Sequence, residues 1–134
     1  MLKRIIPASL DWPRAVTHHA FAALNTAAVA DGAFIHLPAG TQLERPVQLV
    51  FVSGVEGRAT LSAPRILVVA EASSKATIIE QHVGAGGASF SCPVAEIVLA
   101  ENAAVEHITV QEEHLTASQL AVRQVKLAKY SRYS

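Results

Sequence analysis

The chain of 134 residues has one cysteine, Cys92, and only 5% aromatic residues. A single cysteine excludes an internal disulfide and any Cys-pair zinc site, and it suits a reducing compartment, so a cytoplasmic location is expected. Hydrophobic residues nevertheless make up 51% of the chain. Burial must therefore come from Ala, Val, Leu and Ile, which suit thin, repetitive layers better than a core built around large rings. Neither sign of charge is in excess: eleven Lys and Arg offset eleven Asp and Glu, and neither runs in a block. That lacks the electrostatic footprint of phosphate-backbone binding, and nucleic acid is not expected as a partner. No apolar run approaches the roughly eighteen residues of a membrane span. The short basic start, Leu2 to Ile6, is broken by Pro7, Asp11 and Pro13 before a signal-peptide core develops. A soluble protein without a membrane partner is expected. Hairpin turns are also scarce: the single Asp-Gly pair, Asp31-Gly32, follows a helical stretch instead of joining two strands.

The helical stretch begins at Asp11-Trp12-Pro13, with Asp11 as N-cap and Pro13 in the first turn. Val16, Ala20, Phe21, Leu24 and Ala28 then recur at three- and four-residue steps, predicting one helix that stops near Ala30. The remainder reads as strand and turn. Predicted strands are Phe34 to Leu37, Val47 to Val52, Ala59 to Leu61, Ile66 to Ala70, Ala76 to Val83, Val94 to Ala100, Val105 to Gln111 and Gln119 to Leu127. This divides the chain into an N-terminal segment, 1–32, and a β core, 33–134.

Within the core one corner recurs. Leu37-Pro38-Ala39-Gly40, Val69-Ala70-Glu71-Ala72 and Leu99-Ala100-Glu101-Asn102 follow short apolar strands at separations of 32 and 30 residues. A period of about thirty residues is the mark of a solenoid, in which each corner stacks on the last at the ~4.8 Å strand spacing. The competing fold is an antiparallel sandwich, which the shortage of hairpin turns disfavours.

The phrase "FAALNTAAVADGAFIHLPAGTQLERPVQLVFVS", Phe21 to Ser53, resembles the opening of the SufB/SufD core of iron–sulfur cluster assembly scaffolds. So do "PRILVVAEASSKATIIEQHVG" from Pro64, "EIVLAENAAVEHITVQEE" from Glu96, and "SRY" at Ser131 to Tyr133. "GAFIHLP" and "VEHITVQE" lean toward SufD. The resemblance implies a right-handed parallel β-helix and a non-enzymatic role as a scaffold, with SufB- and SufC-like proteins as partners. It implies an iron–sulfur cluster or FAD only in the full family complex, with no cofactor bound to this chain. Family members are longer, so the chain is expected to be the first part of the core domain, without the later coils and the ATPase-docking region. The interface cysteine and histidine of the family lie in those later coils and match no position here.

The residues that could carry chemistry are Glu80, His82, Glu106, His107, His114 and Cys92. Carboxylate and imidazole together suit iron, zinc or manganese. On one strand Glu80 and His82 share a face whereas Glu106 and His107 point oppositely, so a metal could use one of the second pair. Stacking is expected to bring Glu80 near Glu106. The simpler expectation is a solvent-facing polar ladder, since no metal-binding histidine motif is present. Cys92, without a nearby histidine, reads as buried and idle. His36 reads as an ordinary strand residue, His18-His19 as exposed on the helix, and Gly84 to Gly87 as a connecting loop without the Lys-Ser/Thr ending of a phosphate loop. The alternative from another class is a small cupin-like metal-dependent β-barrel enzyme using His82, His107 and His114. Finally, a solenoid cut across its coils exposes strand edges. Self-association is expected, as a two-fold homodimer through "VEHITVQ" and "LAVRQVKLA" or by exchange of the C-terminal strand.

Overall fold

The structure is a computed structural model and describes residues 20–134. One helix, α1 (Ala20–Ala28), precedes eleven strands. The predicted capping residues Asp11 and Pro13, and His18-His19, lie outside the described residues. The strands are β1 (Gly32–Leu37), β2 (Val47–Ser53), β3 (Thr60–Ser62), β4 (Arg65–Ala70), β5 (Lys75–Gly84), β6 (Ser89–Ser91), β7 (Val94–Leu99), β8 (Ala104–Glu112), β9 (Ala117–Gln119), β10 (Val122–Leu127) and β11 (Arg132–Tyr133).

Every third strand falls in the same sheet. Sheet 1 has the order β1-β4-β7-β10, sheet 2 the order β11-β8-β5-β2, and sheet 3 the order β3-β6-β9. All pairings between these strands are parallel. The chain therefore winds as a three-faced parallel β-solenoid of four turns, the last formed by β10 and β11. The sole antiparallel contact among the described residues is an isolated bridge, Val55 to Arg58, inside a turn. An antiparallel sandwich is excluded, and so is the cupin-like barrel, whose strands pair antiparallel.

Two predicted features need correction. The stretch Gln119 to Leu127 is two strands, β9 and β10, and the short strands β6 and β11 were not predicted; three-residue strands carry no readable period. The repeating corner is also shifted by one residue in its second copy. Leu37 pairs with Ala70, Ala70 with Leu99, and Leu99 with Leu127, giving steps of 33, 29 and 28 residues. Glu71 therefore stacks under Ala100 instead of Glu101, and a fourth copy appears at Ala128 to Ser131.

In that register the corner becomes one repeated turn. The amides of Thr41, Ser74, Ala103 and Ser131 donate to the carbonyls of Pro38, Glu71, Ala100 and Ala128. The third residue of each turn has positive φ: Gly40 at 73°, Ser73 and Asn102 at 59°, Tyr130 at 57°. A single positive φ at that position defines a type II turn. Coil-to-coil bonds tie the turns together, Gly40 to the Ala72 carbonyl at 2.9 Å and Ser73 to the Glu101 carbonyl at 2.9 Å. Exposed His36 on β1 reinforces the first corner: its Nε2 lies 2.8 Å from Glu71 Oε1, and the Ala39 amide donates to Glu71 Oε2. The His36 bond, then the Ala39 amide, hold the Glu71 carboxyl below its usual range.

The core is a set of aliphatic columns inside the coils. Ile35, Val68, Ile97 and Val125 form one, and Leu37, Ala70 and Leu99 another. Each fully buried Val, Leu or Ile contributes about 1.5–3 kcal/mol. No helix among the described residues is long and apolar enough to cross a membrane.

The left-handed corner gives a test of the register. Ser73 is exposed, so substitution there reports backbone strain with little change in packing. Ser73→Gly is expected to raise stability by up to about 1 kcal/mol, and Ser73→Val to lower it by about 1–2 kcal/mol, read from urea unfolding midpoints.

Candidate functional site

Along β5 the side chains of Ala76, Ile78, Glu80 and His82 are buried, and the intervening Lys75, Thr77, Ile79, Gln81 and Val83 face outward. The two-residue period that puts Ile78 in the core thus carries Glu80 and His82 into the lumen with it. On β8, Val105 and His107 point inward and Glu106 points out. Parallel pairing sets Ile78 beside His107 and Glu80 beside Thr109.

These placements assemble one buried polar cluster. Glu80 and His82 are each 2% exposed and His107 is 8% exposed. Glu80 Oε1 lies 2.7 Å from His82 Nε2, and Glu80 Oε2 lies 2.8 Å from His107 Nε2 as an ion contact. On the far side, His107 Nδ1 is 3.0 Å from the Tyr133 hydroxyl. Arg123 enters from β10, with Nη2 at 3.4 Å from Glu80 Oε2 and donating to Thr109 Oγ1 at 2.7 Å. The His82 ring stacks on Phe51, centroid to centroid 5.4 Å. Burial alone would raise the Glu80 carboxyl, but the imidazoles of His107 and His82 outweigh it and hold the group at about 2. Glu80 is an ionised carboxylate inside the solenoid.

The expectation of a solvent-facing ladder is therefore overturned for Glu80, His82 and His107, which face the lumen. Glu106 does not approach Glu80; it faces outward and accepts from the Thr77 hydroxyl at 3.1 Å. His114 is exposed in a turn, bonded to Thr116, and does not join the cluster. Among the described residues no three His, Cys, Asp or Glu side chains are arranged to hold a metal ion. Each imidazole Nε2 lies against a different oxygen of the same carboxylate, and Arg123 is the permanently charged partner, so the arrangement is a polar network centred on Glu80.

Arg123, Thr109 and Tyr133 were missed by sequence reasoning. Arg123 had a signal: it lies two residues before Val125 and four before Leu127, in the inward phase of β10.

A second polar cluster fastens the helix to the outside of sheet 1. Asn25, fully buried, donates from Nδ2 to the carbonyls of Pro64 at 2.9 Å and Cys92 at 2.8 Å. Arg65 donates from Nη1 to Thr26 Oγ1 at 2.9 Å and from Nε to Glu96 Oε1 at 2.8 Å, with Nη2 on the same oxygen. Burial pushes the Glu96 carboxyl up, and Arg65 opposes it. Cys92 is buried beside this cluster, its thiol 3.3 Å from the Phe21 carbonyl, and burial raises its pKa. That setting disfavours the thiolate on which cysteine reactivity depends.

A one-directional coil with a filled lumen and polar groups locked across successive turns defines the class: a parallel β-solenoid. Within that class the chain belongs to the SufBD family. Residues 51–134 match the family described as SUF system FeS cluster assembly, SufBD core domain, and residues 13–49 match the SufBD protein N-terminal region. Among similar proteins, an iron–sulfur cluster assembly SufBD family protein of Synechocystis is 34% identical, covering 84% of this chain and 27% of its own length. The chloroplastic protein ABCI7 of Arabidopsis thaliana is 29% identical over 84% of this chain and 25% of its own. The iron–sulfur cluster assembly protein SufD of Bacillus subtilis is 34% identical over 69% of this chain and 21% of its own. The chain thus spans about a quarter of the length of these curated relatives. No solved structure matches it.

The ionised Glu80 makes a pH prediction. Its folded pKa, about 2, lies below the ordinary carboxyl value, so its contribution is present above the unfolded pKa of about 4.3 and is lost as pH falls toward 2. Wild-type stability should fall through that window by on the order of 3 kcal/mol more than that of Glu80→Gln. Glu80→Gln should also be less stable at pH 7. Urea unfolding of both proteins from pH 7 to pH 2.5 checks this; parallel pH profiles would remove the ionised-carboxylate assignment.

Proposed function

We propose that the chain acts as a SufD-like, non-catalytic scaffold component of SUF-type iron–sulfur cluster assembly, supplying the opening coils of the core. Its partners are SufB- and SufC-like proteins, and it also associates with itself through exposed solenoid strands. The observation that carries this reading is the match of the SufBD core domain to residues 51–134, the stretch that forms most of the stacked coils. Membership in the family supports a role in iron–sulfur cluster assembly; the scaffold role is consistent with a lumen occupied by its own side chains.

The cluster itself is cargo in this reading. FAD belongs, in this reading, to the full family complex and not to this chain alone. No step is assigned to it.

Co-expression of the tagged chain with SufB- and SufC-like proteins tests the proposal. The chain should retain the SufB-like protein through affinity and size-exclusion steps in fixed stoichiometry, and iron and sulfide should accumulate on that complex during reconstitution. Failure to co-purify, with all proteins soluble and folded, would overturn it.

A further inference from the structure

Sheet 3 lines the lumen with a different chemistry from the other two faces. The inward phase of its strands is Thr60 and Ser62 on β3, Ser89 and Ser91 on β6, and Ala117 and Gln119 on β9. None of the six is a large aliphatic, whereas sheet 1 faces the same lumen with Ile35, Ile66, Val68, Ile97 and Leu99. Parallel pairing stacks the sheet 3 groups into two columns, Thr60–Ser89–Ala117 and Ser62–Ser91–Gln119. Ser89 is 8% exposed and Ser91 1%. Thr60 Oγ1 and Gln119 Nε2 are buried and have no hydrogen-bond partner among the described residues. The hydroxyls of Ser62, Ser89 and Ser91 likewise form no bond with a described residue. Buried polar groups of native proteins are bonded to protein or to ordered water, because an unbonded one is costly.

We infer that the sheet 3 side of the lumen is a binding site for ordered water, a column that bridges Thr60 to Ser89, Ser62 to Ser91 and Ser91 to Gln119. The strand spacing sets this up. Short hydroxyl side chains stacked on adjacent coils stand ~4.8 Å apart, too far for a direct hydrogen bond. One water between them reaches both with bonds of about 2.8 Å, at an angle close to that between water's own hydrogen bonds. The side chains of Ser62, Ser89, Ser91 and Ala117 are small, which leaves room for it. The wall itself carries no charged side chain, and that selects neutral water over an ion. Each water has at least two protein partners and donates or accepts as the hydroxyls require. The column lies where the backbone holds least, since the strands of sheet 3 are only three residues long. A water bridge adds a coil-to-coil link at each of these short pairings. The lumen is thereby divided, with aliphatic columns against sheet 1, the network around Glu80 against sheet 2 and a hydrated strip against sheet 3.

Two measurements on the full chain test this. A high-resolution crystal structure should show water peaks about 2.8 Å from Thr60 Oγ1, Ser91 Oγ and Gln119 Nε2. In solution, deuteron magnetic relaxation dispersion should detect long-lived internal water in the wild type. Its amplitude should fall in Thr60→Val and in Gln119→Met and be retained in Thr60→Ser, with far-UV circular dichroism to confirm that each variant is folded. Both apolar variants, close in shape to the residues they replace, should also lower the urea unfolding midpoint, because each deletes a bonded group; deleting a dry, unbonded group would raise it. If a variant does not fold, the wild-type density and dispersion decide. A wild type without long-lived internal water, a dry wall or an ion in the density, or a midpoint raised by both variants overturns the inference. None of these outcomes bears on co-purification with the SufB-like protein, so the proposed function stands or falls separately.

Discussion

The constraint on which the rest of this structure depends is coil-to-coil register. Successive strands of each sheet pair in parallel without a slip, and all variation in coil length, 33, 29 and 28 residues, is absorbed by turns. Because side chains alternate, a one-residue slip in any strand would turn its core residues to solvent. The type II turn at the first corner guards against that slip: its left-handed residue recurs at Gly40, Ser73, Asn102 and Tyr130, and only one of the four is glycine. Ser73 and Tyr130 accept a backbone conformation they disfavour, whereas Gly40 and Asn102 suit it, so at two of the four corners the geometry is imposed by the stacked coils and not by local preference.

The same register explains why a charged group sits in the lumen. Burying a carboxylate costs several kcal/mol, and an ion pair offsets that cost only when its geometry is good. Glu80 meets this condition with partners from three coils: His82 on its own strand, His107 on the next coil, and Arg123 on the last. An apolar column would hold neighbouring coils at least as well. What the polar cluster adds is specificity: an apolar contact tolerates sliding, whereas Glu80 accepts its partners from set positions. Arg123 reaches past the third coil, bonding Thr109 on the way, so the last turn is tied to the second as well as to its neighbour.

How far this was legible in the sequence follows from the same physics. The solenoid was, because stacked corners leave a thirty-residue period and because the family phrase spans the coils. The short third face was not, since three-residue strands such as Ser89–Ser91 have no period to read. The lumenal cluster was only half legible. Glu80 and His82 were placed on one face, but Ile78 and Ile79 are adjacent, so either phase of β5 offers an aliphatic side to the core and sequence alone does not say which faces in. The structure chooses the phase of Ala76 and Ile78, and Glu80 follows. Misplacing the second corner by one residue hid the partner as well: Glu80 is brought beside Thr109 and near His107, with Glu106 turned away. Arg123 escaped notice because a lone arginine near the chain's end reads as solvated surface.

The two long sheets differ in a way that bears on how the solenoid meets other molecules. In sheet 1 both phases are buried: β4 and β7 read "RILVVA" and "VAEIVL", with five of six and six of six residues buried. Those near-continuous apolar runs, broken by Glu96, are the mark of a parallel sheet covered on both faces, and α1 contributes cover, with Ala22 packed against Val94 and Val122. Asn25 and Arg65 then fix the helix by hydrogen bonds to backbone and side chains of the coils beneath. Sheet 2 alternates instead, buried and half-buried along β5 and largely exposed along β8. The inner phase of that sheet is occupied by the polar network around Glu80 and its outer phase by Val, Ile and paired polar residues. A substitution on the outer phase therefore leaves the lumen untouched, because strand alternation separates the two chemistries by one residue. The network can hold the coils together while the face outside it is free to vary with what it contacts.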